Sequence, residues 1–196
     1  MHAFIAPPKK TFFLLRFGIW IAEKITKSEL LPARILAWYP KTAVGSGVLE
    51  SLVAHKDKNL NRRLLKLVRV QTSFAISCPF CIDMNSNKYK IYNISDAELL
   101  VLQNLKSADE VKTLSQREKA ALEYAISASQ TPIAFTQELI EKVKMHFTER
   151  EMVILASTVA QVNYWGRLIQ ALGIPPAGFS DKCDILHLEN YTTLKT

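Results

Sequence analysis

Glycine and proline are scarce: the chain of 196 residues has six and eight of them. That scarcity argues against a loop-rich fold and for long regular elements. Cysteine is scarcer still, at three. A small, odd count excludes the usual disulfide scaffold of secreted domains. It fits a cytoplasmic location, where a C-x-x-C pair serves catalysis or metal binding more often than scaffolding. No apolar run approaches the about 20 residues that cross a bilayer. The early stretch "TFFLLRFGIWIAEKI" is interrupted by Arg16 and no small-residue cleavage site follows it. It reads as an amphipathic helix that packs on the domain or on a neighbouring subunit. Attachment to a membrane surface is the alternative, without stable membrane insertion.

What is present points to one globular domain. Hydrophobic residues make up 48% and the net charge is +7. The basic stretches are "PKK" near the start and "KDKNLNRRLLK" at 56–66. No aromatic residues interleave the second, and no nucleic-acid module accompanies it. It reads as a solvated face, with no nucleic acid as partner.

The periodicity is helical throughout. A first helix is expected over about 10–26, and another over "SELLPARILAWYP" with Pro40 as its stop. "SGVLESLVAH" suggests a short helix. "NLNRRLLKLVRVQTSFAI" places Leu64, Leu67, Val68 and Phe74 on a helical face, and its length outweighs the Val, Thr and Ser of 68–77. "SDAE", "SQRE" and "TERE" put Ser95, Ser115 and Thr148 three residues before Glu98, Glu118 and Glu151. Each spacing is that of a capping box. A further helix is expected over about 136–146, and the last over about 149–171, ending at Gly173. "NRRLLKLVRV" and "EREMVILAST" share an Arg-then-aliphatic pattern, a weak internal echo. The organisation expected is an N-terminal helical extension over 1–29, an all-α domain over 30–178 and a polar tail over 179–196.

The chemistry concentrates in "SCPFCIDMNS", residues 77–86. Ser77 suits an N-cap and Pro79 the first turn, so a helix is expected from here to about Tyr92. Cys78 and Cys81 then share a face and can close a disulfide. The positive end of a helix stabilises a thiolate, the attacking species in exchange, and favours Cys78 as the more acidic sulfur. The redox reading requires sulfurs that reach each other and are open to solvent. Two alternatives stand beside it. The pair can be buried core, or it can join Cys183 and His187 of "CDILH" in a Cys3His zinc set.

"LLKLVRVQTSFAISCPFCIDMNS", "LSQREKAALEYAISASQTP" and "HFTEREMVILASTVAQVNYWGRLIQALGIPP" together resemble the carboxymuconolactone decarboxylase family, specifically its alkylhydroperoxidase D-type (AhpD-like) members. The resemblance covers roughly 30–178, including Asn163 and Arg167 as "N-x-x-x-R". It implies an all-α bundle assembled as a homo-oligomer, a trimer or hexamer. It implies no bound cofactor and a redox dithiol at Cys78 and Cys81. In the peroxidase branch the second cysteine attacks the peroxide and the first closes the disulfide, which a dithiol partner or lipoyl group then reduces. That branch carries a Glu twelve residues before the first cysteine and a His four after the second. Here those positions hold Lys66 and Asn85.

Asn85 cannot act as a base at neutral pH. Lys66 can stabilise a thiolate by charge if it faces the pair. Asp83 is a candidate local base, and His55 and His146 are candidates only if the fold brings them near. The resulting expectation is an antioxidant thiol–disulfide oxidoreductase that reduces peroxides or disulfides without the family's proton relay. The alternatives are a lactone decarboxylase, which needs no cysteine pair, and a non-catalytic helical oligomer with structural or zinc-binding cysteines.

Overall fold

In the computed structural model, residues 2–53 and 59–180 are described. All regular elements among them are helical: α1 (Phe13–Thr26), α2 (Leu31–Leu36), α3 (Pro40–Glu50), α4 (Arg62–Ala75), α5 (Pro79–Ser86), α6 (Asp96–Leu102), α7 (Gln116–Ser129), α8 (Gln137–His146) and α9 (Glu149–Ala171), with three short 3-10 turns. The fold is all-α, as the periodicity predicts. His55 and the Cys183 and His187 of the zinc alternative lie outside the described residues.

The centre is α4. Its Leu64 and Val68 enter one apolar cluster with Ala121, Val143, Leu155 and Val159, from α7, α8 and α9. Its Leu67 and Val70 enter a second, with Leu99, Leu102, Val111 and Leu122. A helix covered on both sides must satisfy its polar side chains internally. Thr72 Oγ1 donates to the Val68 carbonyl and Ser73 Oγ to the Arg69 carbonyl, both at 2.8 Å. This back-bonding lets the Val-Thr-Ser stretch stay helical.

All three capping boxes form: Ser95 with Glu98, Ser115 with Glu118, Thr148 with Glu151. The same glutamates also accept arginines from neighbouring helix starts. Arg63 of α4 pairs with Glu98 and Glu118 at 2.6 and 2.7 Å, and Arg117 of α7 pairs with Glu151 at 2.6 Å. The starts of α4, α7 and α9 are thereby clasped at one end. At the other end Asn163 of α9 donates to Ser129 of α7, and Gln170 of α9 donates to the Ile76 carbonyl after α4. The three helices therefore run in parallel. Burial alone would raise the Glu98 pKa. The Arg63 and Thr113 hydrogen bonds and the Ser95 amide outweigh it and bring it down to about 2.

Two boundaries depart from expectation. Pro40 opens α3 at its first turn rather than only ending α2, and Tyr39 is the preceding cap residue. The helix holding the cysteines stops at Ser86, and Lys88 and Asn93 take left-handed backbone angles around a short turn. At the end of α9, Gly173 has φ +63, its N–H donates to Gln170 and that of Ile174 to Ile169. This is a Schellman closure, with Ile169 and Ile174 meeting in the core.

Helix α1 buries no residue, and Phe13, Leu14, Phe17, Trp20 and Ile25 stand exposed on it. It is tied to α2 by Glu23, which takes both Arg34 Nε and Nη2 at 2.7 and 3.0 Å. No described helix is long and apolar enough to cross a membrane.

Candidate active site

Cys78 and Cys81 are joined in a disulfide, with Cα atoms 5.2 Å apart. The backbone that presents them does two jobs. The N–H of Ser77 donates to Phe74 and that of Cys78 to Ser73, which closes α4 with Ser77 at φ +50. Cys78 is then itself the cap of α5, its Sγ accepting the Cys81 N–H at 3.2 Å. Ser77 is thus the turn residue and Cys78 the cap, which corrects the sequence expectation. The correction places one sulfur on the unpaired amides of the helix start, where negative charge is favoured.

Helix α9 lies directly on this turn, and Gly166 is what allows it. A Cβ at Gly166 would sit 2.1 Å from Ile76 Cδ1 and 3.5 Å from the Cys78 Cβ. The sequence signal for this contact was an isolated glycine inside a long helical pattern.

The expectation of solvent-open sulfurs is not met. Cys78 is 0% and Cys81 4% exposed, packed with Ile35, Phe80, Ile169, Ile174, Trp165 and Phe179. The segment after α9 supplies part of that cover. Asp83 holds it: Oδ2 accepts the N–H groups of Ala177 and Gly178 at 2.9 and 2.8 Å, and Oδ1 that of Ser180 at 2.8 Å. Phe179 then meets Phe80 edge-on at 5.8 Å. Asp83 is fully buried. It is a pin for this strap, with its lone pairs committed to amides rather than to a proton at the sulfurs, and the local-base expectation gives way to that role.

The other candidates divide. Asn85 Nδ2 donates to Ser73 Oγ at 2.9 Å, bracing the turn that carries the pair. Lys66 Nζ donates to the Asn87 carbonyl at 2.9 Å and lies 5.0 Å from the centre of the Tyr92 ring. Asn87 is at the opposite end of α5 from the sulfurs, so Lys66 does not face them directly. Burial, with Arg69 adding repulsion, lowers the Lys66 pKa to about 8. His146 sits at the end of α8, which packs on α7. Asn163 and Arg167 tie α9 to Ser129 and Thr131. Among the described residues no cluster of His, Cys, Asp or Glu could hold a metal ion.

Sequence reasoning missed a polar group bonded to Trp165, which packs against the pair. Glu50, at the end of α3, accepts from Gln161 Nε2 at 2.6 Å and from Trp165 Nε1, both on α9. Arg69 of α4 is attracted electrostatically to Glu50, and burial lowers its pKa. Only tertiary structure brings α3, α4 and α9 together, so no local pattern announces this group.

No protein-family model matches the chain. It is 25% identical over 174 residues to the uncharacterized protein YnjA of Escherichia coli, covering 89% of this chain and 94% of that one. The debrominase Bmp8, as a cysteine-to-alanine variant in complex with 2,3,4-tribromopyrrole, superposes with a TM-score of 0.75 at 16% identity, covering 96% and 98%. An uncharacterized peroxidase-related protein from Ralstonia eutropha, described as an alkylhydroperoxidase AhpD core, gives 0.72 at 19% identity, covering 93% and 95%. The helical arrangement thus has counterparts among solved proteins, and this chain has the helical fold of the alkylhydroperoxidase AhpD core.

Proposed function

We propose that this protein is a thiol–disulfide oxidoreductase in which Cys78 and Cys81 alternate between dithiol and disulfide. The carrying observation is the bonded pair at the start of α5, with Cys78 Sγ accepting a backbone amide. In the reduced form that amide would favour the thiolate. With a small disulfide, one thiolate attacks a substrate sulfur and expels a thiolate. The second cysteine then displaces the other half, leaving two substrate thiols and the protein disulfide. A hydroperoxide would take the same two electrons, giving an alcohol and water. A dithiol, such as a lipoyl group, would restore the reduced pair.

The three candidate side chains nearest in sequence are engaged elsewhere. Asn85 is spent on Ser73, Asp83 on the strap and Lys66 on Asn87. Disulfide exchange is therefore the stronger activity, since it needs an accessible thiolate and a resolving thiol. Access requires the strap at 177–180 to lift. Apolar residues exposed on α1 and α3, among them Phe17, Trp20, Val44 and Val48, support a homo-oligomer.

The test uses reduced wild type, Cys78→Ser and Cys81→Ser with bis(2-hydroxyethyl) disulfide. Wild type should release two thiols per turnover and each serine variant should stall. Equal rates in all three remove the proposal. The likeness to the debrominase Bmp8 favours one second reading. A dithiol supplies the two electrons that replace a carbon–bromine bond by carbon–hydrogen, releasing bromide and leaving a disulfide. Cysteine-dependent bromide release from a bromopyrrole would select it.

A further inference from the structure

Among the described residues, three partly buried arginines, Arg63, Arg69 and Arg117, differ in their pairing. Arg63 has Glu98 and Glu118, and Arg117 has Glu151. Arg69 has a buried Nε with no hydrogen-bond partner, and it enters no ion pair among the described residues. Lys66, three residues earlier on the same face of α4, donates only to the Asn87 carbonyl and stands against Tyr92. The groups that attract Arg69 are Glu50 and the Tyr92 phenol, and Glu50 Oε1 already accepts from Gln161 and Trp165. Gln161 in turn leaves a buried Oε1 without a partner. Arg69 is therefore left with one already committed carboxylate, and buried donor and acceptor atoms are left open. Arg117 Nε is also unpartnered, but its Nη2 holds Glu151, whereas Arg69 bonds no carboxylate; most buried polar groups in natural structures find a partner.

The position of the group is as telling as its charge. The Arg69 carbonyl accepts from Ser73 Oγ, and the Ser73 carbonyl accepts the Cys78 N–H. From the other side Trp165 packs in the same cluster as both cysteines. Arg69 thus lies on the helix that runs into the turn carrying the disulfide.

We propose that Arg69 forms an anion subsite beside the Cys78–Cys81 pair that takes the carboxylate of a small oxidising substrate. This rests on the dithiol reading for what the substrate undergoes, but not for what the subsite binds. A carboxylate would accept from Arg69 Nε, balance the guanidinium charge and hold the reacting bond toward the sulfurs. The balanced reaction with a carboxylated disulfide is the exchange given above, with two carboxylated thiols as products.

Benzoate is the probe, since it carries the charge and undergoes no redox step. Calorimetry on the oxidised protein should show saturable binding at one site. Arg69→Met should weaken it at least about tenfold, the worth of one charge-assisted hydrogen bond. Arg69→Lys should recover part of it. Circular dichroism checks that both variants are folded. In parallel, a carboxylated aromatic disulfide and bis(2-hydroxyethyl) disulfide are given to the reduced proteins. Arg69→Met should slow the first about tenfold and leave the second within twofold. Absent benzoate binding, or binding unchanged in Arg69→Met, overturns the subsite. If neither disulfide reacts with wild type, the dithiol reading fails while the benzoate result still decides the subsite.

Discussion

Removing Asp83 should uncover the disulfide. Its carboxylate accepts three backbone N–H groups of the strap, at 2.8 to 2.9 Å. The donors at Ala177 and Gly178 lie on exposed residues, so water replaces the carboxylate once the strap lifts. Each bond then contributes a net of about 1 kcal/mol, and the three together roughly 3 kcal/mol. In Asp83→Ala that sum leaves the closed state, and at 1.4 kcal/mol per decade the open population rises about 100-fold. Reduction of the pair by dithiothreitol, followed by alkylation and mass measurement, reads the open fraction directly. The variant should be reduced between about 10- and 100-fold faster, the ceiling depending on how much strap opening limits wild type. Asp83→Asn, which keeps the volume and one acceptor oxygen, should fall between the two. Circular dichroism separates local opening from loss of fold. A folded Asp83→Ala reduced at the wild-type rate refutes the reasoning, because the strap would then not gate the sulfurs.

Gly166→Ala should lower stability by about 1–2 kcal/mol, since the new methyl overlaps Ile76 Cδ1, and urea midpoints measure it. The end of the Ile76 side chain is flexible, so adding Ile76→Val to that variant should restore part of the loss. Lys66→Met should make stability less dependent on alkaline pH. The folded Lys66 pKa is lowered to about 8 from 10.5, by burial first and Arg69 second. The cost of a buried charge is therefore fully present below pH 8 and is relieved as pH rises toward 10.5. Wild type should gain roughly 3 kcal/mol relative to the variant across that interval, and parallel pH profiles in denaturant melts contradict the assignment.

Local signals carried most of the helical architecture. A hydroxyl three residues before a glutamate specifies a cap by its own geometry, and all three such pairs form one. Gly173 ends α9 because the left-handed turn is cheapest for glycine. Pro40 was ambiguous, because the same ring that cannot continue α2 is well suited to start α3. The Ser77–Cys78 boundary was one residue off for a related reason. A Schellman turn and a cap overlap there, and serine suits either position. The cysteine pair itself was legible from spacing. Its cover was not, because Ile35 and Phe179 come from segments distant in sequence. The Asp83 pin and the Glu50–Gln161–Trp165 contacts likewise join residues about a hundred positions apart. No periodicity encodes contacts of that range.

The most direct test is a redox titration of the folded wild-type protein. Oxidised chains are equilibrated across ratios of reduced to oxidised dithiothreitol, then alkylated and weighed. A two-electron transition, with Cys78 and Cys81 gaining label together while the helical signal is unchanged, is the predicted result. A pair that resists the reductant until the chain unfolds would show a structural crosslink and contradict the account.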